Sequence, residues 1–95
     1  MKDVPLIPRP WVISQHARHE MARRQISIQD VERLLEEPEQ CLPLGPGRVV
    51  AQSRVAFGEP PANYLVRIFV DIDRVPAVVV TVYRTSKMSK YWREP

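Results

Sequence analysis

The hydrophobic positions of this chain follow a helical spacing in the first half and a strand spacing in the second half. The stretch QHARHEMARRQ, residues 15–25, contains neither glycine nor proline, and Ala17 and Met21 share one helical face within it. Ser14 comes just before this stretch and is a typical N-cap, because its hydroxyl can accept a hydrogen bond from a free backbone amide. The pattern predicts a first helix over 15–25.

A second helix is predicted over IQDVERLLEE, residues 28–37. Ser27 followed by Asp30 is a shortened capping box, and Pro38 ends the helix. Because the link to the first helix is so short, we expect the two helices to form a compact pair. Helical spacing predicts four buried side chains, namely Ile28, Val31, Leu34 and Leu35.

Beyond residue 47 the spacing changes to the two-residue alternation of β-strands. Three strands are predicted: RVVAQSRVAF (48–57), YLVRIFVDI (64–72) and PAVVVTVY (76–83). The stretch WVIS (11–14) predicts a further short edge strand before the first helix. The expected fold is α+β, with a short N-terminal strand, two helices and then a three- to four-stranded antiparallel sheet that carries the helices on one face.

Composition agrees with an ordinary globular protein. The chain has 95 residues, of which 44% are hydrophobic and 26% charged, and this length leaves no room for a second core. We therefore expect a single domain over 11–95. Residues 1–10 contain three of the ten prolines, which predicts an extended arm.

Cysteine usage and hydropathy indicate the cellular compartment in which the protein is expected. Cys41 is the only cysteine, which excludes an intramolecular disulfide and favours a cytoplasmic location. No stretch resembles a signal peptide or a membrane span, so no membrane partner is expected. His16 and His19 are three residues apart, but a third ligand at a suitable spacing is missing, and we predict no metal and no other cofactor.

Basic residues form two groups in a chain of net charge +3. The first group lies in the first helix, where His16 stands close to Arg18, Arg23 and Arg24. A histidine can carry a proton at neutral pH and an arginine can bind a phosphate with two hydrogen bonds, which together suit phosphodiester chemistry. The alternative is that His16 packs against the protein and that the arginines only solvate the surface.

The second basic group is in the C-terminal stretch YRTSKMSKYWREP, residues 83–95. Aromatic residues alternate there with cations, and this is typical of a surface that binds bases and phosphates: Tyr83, Arg84, Lys87, Lys90, Tyr91, Trp92 and Arg93. The alternative is that Tyr91 and Trp92 fold back and cover the core.

At these two stretches the sequence resembles a bacterial domain family of unknown function, numbered 4258. The resemblance is carried by SQHARHEMARRQISIQDVERLLEEPEQ (14–40) and VVVTVYRTSKMSKYW (78–92). That family is similar in layout to the RelE, ParE and BrnT toxins of toxin–antitoxin pairs. The resemblance implies a RelE-like fold whose uncovered sheet face binds free or ribosome-bound RNA, with a cognate antitoxin protein as a second partner.

The leading hypothesis from this resemblance is a toxin that acts as a metal-independent endoribonuclease. His16 or Tyr83 would carry the proton, while Arg84 and Lys87 would stabilise the phosphate, and we expect the start of the first helix to meet the end of the last strand. The residues assigned to RNA binding are Arg18, Arg23, Arg24, Lys90, Tyr91, Trp92 and Arg93. The alternative is a non-catalytic RNA- or protein-binding module of the same fold, because activity does not follow from fold.

Overall fold

A computed structural model describes residues 7–94, so that residues 1–6 of the predicted arm lie outside the described part of the chain. In chain order the elements are β1 (Trp11–Ile13), α1 (Gln15–Arg23), α2 (Ile28–Glu36), β2 (Gln40–Pro43), β3 (Arg48–Phe57), β4 (Ala62–Asp71), β5 (Ala77–Thr85) and α3 (Met88–Tyr91). The predicted elements are confirmed within a few residues. The short elements β2 and α3 were not predicted.

The strands form one five-stranded sheet in the order β1-β5-β4-β3-β2. Neighbouring strands from β2 to β5 are antiparallel, whereas β1 pairs with β5 in parallel, with Trp11 opposite Ala77. The sheet is therefore mixed, and the prediction of a purely antiparallel sheet is wrong. A tight turn would force β1 to pair antiparallel with the next strand, but the chain leaves β1 through two helices and can return in either direction.

Both predicted helix caps are confirmed. Ser14 Oγ accepts a hydrogen bond from the Ala17 amide at 3.0 Å, and Ser27 Oγ accepts one from the Asp30 amide at 3.0 Å. Each bond satisfies a backbone donor that would otherwise lack a partner in the first turn of its helix.

The link between the helices corrects one predicted core residue. Gln25 has a φ of 57°, and the Ile26 amide donates to the Met21 carbonyl at 2.9 Å, which together form a Schellman ending for α1. This turn directs Ile26 into the core with 4% exposure and leaves Ile28 at 39% exposure. Ile28 was predicted to be buried, and its place is taken by Ile26.

The two sides of the sheet have different coverings. Helices α1 and α2 pack against the first side, called here the helix face, and the core between them includes Met21, Leu34, Val66, Ile68 and Val82. The opposite side, called the tail face, carries Val50, Gln52, Leu65, Arg67 and Tyr83, as the strand register shows. The C-terminal segment, residues 86–94, lies against this tail face.

No helix within residues 7–94 has the length and apolar character needed to cross a membrane.

Candidate functional site

The centre of the tail face contains a buried arginine, Arg67. In the sheet register Arg67 lies opposite Gln52 of β3 and opposite Tyr83 of β5, which brings the three side chains to one face. Arg67 is only 9% exposed. Its Nε donates to Gln52 Oε1 at 3.0 Å, and its Nη1 donates to the Tyr83 hydroxyl at 3.0 Å.

The positive charge of Arg67 has no acidic partner within residues 7–94, where it takes part in no ion pair. Buried charges in proteins are usually paired, because an unpaired charge in a poorly hydrated position is costly. Nη2 of Arg67 makes no hydrogen bond there, and no fully buried polar side-chain atom of the described residues is without a partner, so Nη2 reaches solvent. An anion can therefore bind this guanidinium.

Aromatic rings surround the same guanidinium. The Cζ of Arg67 lies 4.2 Å from the ring centroid of Tyr91, 5.3 Å from that of Phe69 and 6.0 Å from that of Tyr83. Phe69 and Tyr83 stack with centroids 6.0 Å apart and an interplanar angle of 14°. These contacts hold the cation by its attraction to the ring faces, which leaves hydrogen-bonding capacity for a ligand. Arg67, Tyr83 and Tyr91 are called the tail-face cluster below.

Two glutamines fix the C-terminal segment over this cluster. Gln52 Nε2 donates to the Tyr91 carbonyl at 3.0 Å. Gln40 Nε2 donates to the Arg93 carbonyl at 2.6 Å, and the Arg93 amide donates back to Gln40 Oε1 at 3.1 Å. Tyr91 is thereby held in place by main-chain bonds and not only by its ring.

Trp92 lies against the neighbouring part of β3. The guanidinium of Arg54 is 4.3 Å from the Trp92 ring centroid, and the same guanidinium donates to Glu39 Oε2 at 2.8 Å. Tyr91 and Trp92 are both partly buried. Their side chains fold back over the sheet, which is the alternative that the sequence left open beside RNA binding.

The Tyr91 hydroxyl is more acidic than an ordinary phenol. A side-chain hydrogen bond with Tyr83 lowers the pKa of Tyr91, desolvation opposes this effect, and the charges of Lys90 and Arg67 lower the pKa further. A phenol that ionises more easily is a better general base near neutral pH. Lys90 is itself exposed, with its Nζ 5.4 Å from the Tyr91 ring centroid.

The carboxyl end of α1 approaches the cluster from the edge of the sheet. The guanidinium of Arg24 lies 5.8 Å from the ring centroid of Tyr83, and its Nε donates to Glu20 at 3.3 Å. Arg23 binds the same carboxylate at 3.0 Å but is exposed. Of the predicted RNA-binding residues in α1 and at its C-cap, Arg24 is the one that contacts the tail-face cluster.

The amino end of α1 lies elsewhere. The Ser14 amide donates to the Val79 carbonyl at 3.0 Å, so the helix begins beside Val79. Tyr83 is four positions beyond Val79 in the strand, a distance of roughly 13 Å at about 3.3 Å per residue. His16 and Arg18 are exposed on this first part of the helix. The expectation that the start of α1 meets the end of β5 is wrong, because α1 runs alongside β5 and brings its other end to Tyr83.

Arg84 lies on the opposite side of the sheet from its neighbour Tyr83. Successive strand residues point to opposite faces, and Arg84 pairs with Val66, a core residue of the helix face. Its guanidinium is 4.4 Å from the ring centroid of Phe57 and 5.0 Å from that of Tyr64. Arg84 therefore does not join the tail-face cluster. Lys87 is exposed at the N-cap of α3.

Neither Cys41 nor a cluster of potential metal ligands forms another candidate site in the described part of the chain. Burial raises the pKa of the Cys41 thiol, and the residue belongs to the core between helices and sheet, where it serves packing. Among residues 7–94 no group of three or more histidine, cysteine, aspartate or glutamate side chains is arranged to hold a metal ion.

No curated protein and no solved structure matches this chain. Residues 13–84 match a family described as a domain of unknown function, DUF4258, and this range is more than half of the 95 residues. The matched range includes Arg67 and Tyr83 and ends before Tyr91. The chain therefore belongs to the DUF4258 family.

Proposed function

We propose that this protein binds RNA at the tail face and cleaves it without a metal ion. The observation that carries the proposal is the buried guanidinium of Arg67, which lacks an acidic partner within the described residues and lies between two tyrosines. A cation in such a position is suited to an anionic ligand. A phosphodiester is the ligand that best matches a cation flanked by aromatic rings and phenol hydroxyls.

The fold we propose is of the RelE toxin type. Two helices precede the antiparallel strands β2 to β5 and pack on one face of the sheet, which is the layout that the resemblance to RelE, ParE and BrnT implies. On this basis the protein would be the toxin of a toxin–antitoxin pair in the bacterial cytoplasm. Its substrate would be free or ribosome-bound messenger RNA.

The proposed reaction is transesterification within RNA. Tyr91, as phenolate, takes the proton of a ribose 2′-hydroxyl, and the 2′-oxygen attacks the adjacent phosphorus while the bond from phosphorus to the 5′-oxygen breaks. The products are a 2′,3′-cyclic phosphate and a 5′-hydroxyl, whose oxygen takes up a proton from Tyr83. Arg67 neutralises the charge that develops on the phosphorus oxygens.

The tyrosine geometry supports these roles. The Tyr83 hydroxyl accepts a hydrogen bond from Arg67, so that its own hydrogen stays available for donation. The lowered pKa of Tyr91 increases the fraction of phenolate that can act as a base. Both side chains lie on the same face as Arg67, whereas His16 lies near the start of β5 and Arg84 on the other face.

A second candidate is a non-catalytic binding module that uses the same surface. It is favoured by the many contacts of the C-terminal segment, since Tyr91 and Trp92 already pack on Arg67 and Arg54. Such a module would bind RNA with steep salt dependence but leave it intact.

Inducible expression in a bacterial host separates the two candidates. The toxin proposal predicts that the wild-type protein arrests growth and translation, and that Tyr83→Phe combined with Tyr91→Phe relieves the arrest at equal protein level. Arg74→Gln, which removes a charge from the exposed β4–β5 turn, serves as the control that remains toxic. Normal growth with soluble wild-type protein contradicts the toxin proposal.

A further inference from the structure

A second group of one cation and two rings lies on the helix face. The guanidinium of Arg84 is 4.4 Å from the ring centroid of Phe57 and 5.0 Å from that of Tyr64. The two rings meet edge to face, with centroids 5.8 Å apart at 79°. The guanidinium is therefore in contact with two rings at once, and this fixes its position without an ion pair.

The strands place this group at one end of the sheet. Phe57 is the last residue of β3, Tyr64 lies early in β4 and Arg84 lies near the end of β5. All three side chains are partly exposed. Within residues 7–94 the Arg84 side chain makes neither a hydrogen bond nor an ion pair, so its five N–H donors remain available.

In the described part of the chain, the edge of β5 beside this group has no strand paired to it, and Arg24 at the end of α1 reaches Tyr83 from this edge. Strand β1 pairs with Ala77 to Val79 only, so the later part of β5, Thr81–Thr85, has no neighbouring strand on that side among the described residues. Tyr83 and Arg84 are adjacent in this part of β5 and point to opposite faces. A flexible chain that passes over the edge can therefore reach both faces.

We propose that Arg84, with the rings of Phe57 and Tyr64, is a second RNA subsite and that single-stranded RNA crosses the unpaired edge of β5 to reach it. This inference rests on the proposed function, in which the tail-face cluster is the first subsite. Arg84 binds a phosphate, and the two rings offer a surface for a base. A stiff duplex cannot bend over the edge of a single sheet, whereas a single strand can.

Fluorescence anisotropy with labelled 2′-O-methyl RNA tests this subsite, because such RNA has no free 2′-hydroxyl and is not cleaved. Two lengths are compared, about 4 and about 12 nucleotides, which span the site sizes common for single-strand binders. The longer RNA reaches both faces and should bind the wild-type protein more tightly than the shorter RNA. The measured quantity is the ratio of the two affinities.

We expect Arg84→Gln to reduce this ratio by about tenfold. It should also reduce the slope of log affinity against log salt concentration, measured with the longer RNA, by about one. Phe57→Leu keeps an apolar side chain but removes a ring from Arg84, and it should reduce the ratio by a smaller factor. Arg74→Gln removes the same charge from the exposed turn at the other end of β5 and should leave the ratio unchanged. Circular dichroism establishes whether each variant is folded. If Arg84→Gln does not fold, the affinity ratio of Phe57→Leu is the result that tests the subsite.

Each contradicting outcome identifies the claim that fails. If neither RNA binds the wild-type protein, the proposed function itself is wrong. If both RNAs bind but Arg84→Gln and Phe57→Leu behave like Arg74→Gln, RNA binding stands and the second subsite is wrong. If duplex RNA binds as tightly as the single strand and is weakened equally by Arg84→Gln, the crossing of the edge is wrong.

Discussion

The Nη1 of Arg67 donates a 3.0 Å hydrogen bond to the hydroxyl of Tyr83, and this bond joins β4 to β5 on the tail face. The phenol oxygen accepts from a cation, so its own hydrogen stays available for donation to another acceptor. The same guanidinium contacts the ring of Tyr91 at 4.2 Å. Three side chains from separate parts of the chain therefore come together in one cluster.

The first prediction concerns the acidity of Tyr91. Tyr83→Phe removes the largest single cause that lowers the pKa of Tyr91, so the pKa should rise, and Lys90→Gln, which removes a nearby positive charge, should raise it as well. Nuclear magnetic resonance of tyrosine labelled at the ring carbon that bears the hydroxyl follows this ionisation directly. An unchanged pKa in Tyr83→Phe would contradict the coupling of the two hydroxyls.

The second prediction concerns the C-terminal segment. Val50 and Leu65 on the tail face are fully buried, yet α1 and α2 lie on the other side of the sheet, so the C-terminal segment with α3 must shield them. Ending the chain after Thr85 should expose them and lower the free energy of unfolding by about 2–4 kcal/mol, at about 25 cal/mol per Å² of apolar surface. Urea denaturation measures the loss, and removing residues 94–95 alone is the matched control. Equal stability of the truncated and full-length chains would show that the segment is not part of the fold.

The third prediction concerns acid stability at Glu39. The side-chain hydrogen bond from Arg54 lowers the pKa of Glu39 most, desolvation opposes this effect, and the Arg54 amide adds a second bond at 2.7 Å. A lowered pKa in the folded state means that the stabilisation is present above the ordinary carboxyl pKa and is lost as the pH falls through the folded value.

In Glu39→Gln, the free energy of unfolding should therefore differ less between pH 7 and pH 3 than it does in the wild-type protein. Because the pair is partly exposed, the change should be no more than about 1 kcal/mol. Urea midpoints at the two pH values measure it, and Glu32→Gln, at an exposed position of α2, is the control. The same pH dependence in wild type and Glu39→Gln would exclude a role of this carboxylate in acid unfolding.

The helices and long strands could be predicted because their signals are local. Ser14 and Ser27 precede helical patterns and cap them, and the two-residue alternation of β3 to β5 gives their faces. Ile28 was predicted to be buried, but Gln25 has a left-handed backbone conformation, which residues other than glycine rarely adopt. The resulting turn directs Ile26 into the core in place of Ile28. The parallel pairing of β1 depends on contacts between distant parts of the chain, and no local pattern specifies it.

The candidate site was predictable only in part. Tyr83 and Tyr91 stand in a stretch whose composition is conspicuous, whereas Arg67 lies inside the apolar strand YLVRIFVDI. A lone charge in such a strand, on the face away from the core, was the available signal for Arg67. Its importance depends on Gln52, which is 15 residues away in the chain, and on the folded-back Tyr91, so it becomes visible only in three dimensions.

The most direct test of the central claim is to incubate the purified protein with free RNA in the presence of a chelator, and with messenger RNA on translating ribosomes in ordinary magnesium buffer. The new RNA ends are analysed by mass spectrometry in both settings. Wild type and Arg74→Gln should both produce 2′,3′-cyclic phosphate ends. Arg67→Gln should be slower by about a hundredfold or more, the usual effect of removing one group that stabilises developing charge. Intact RNA with the wild-type protein in both settings, or equal cleavage by Arg67→Gln, would contradict the claim that the tail-face cluster cleaves RNA.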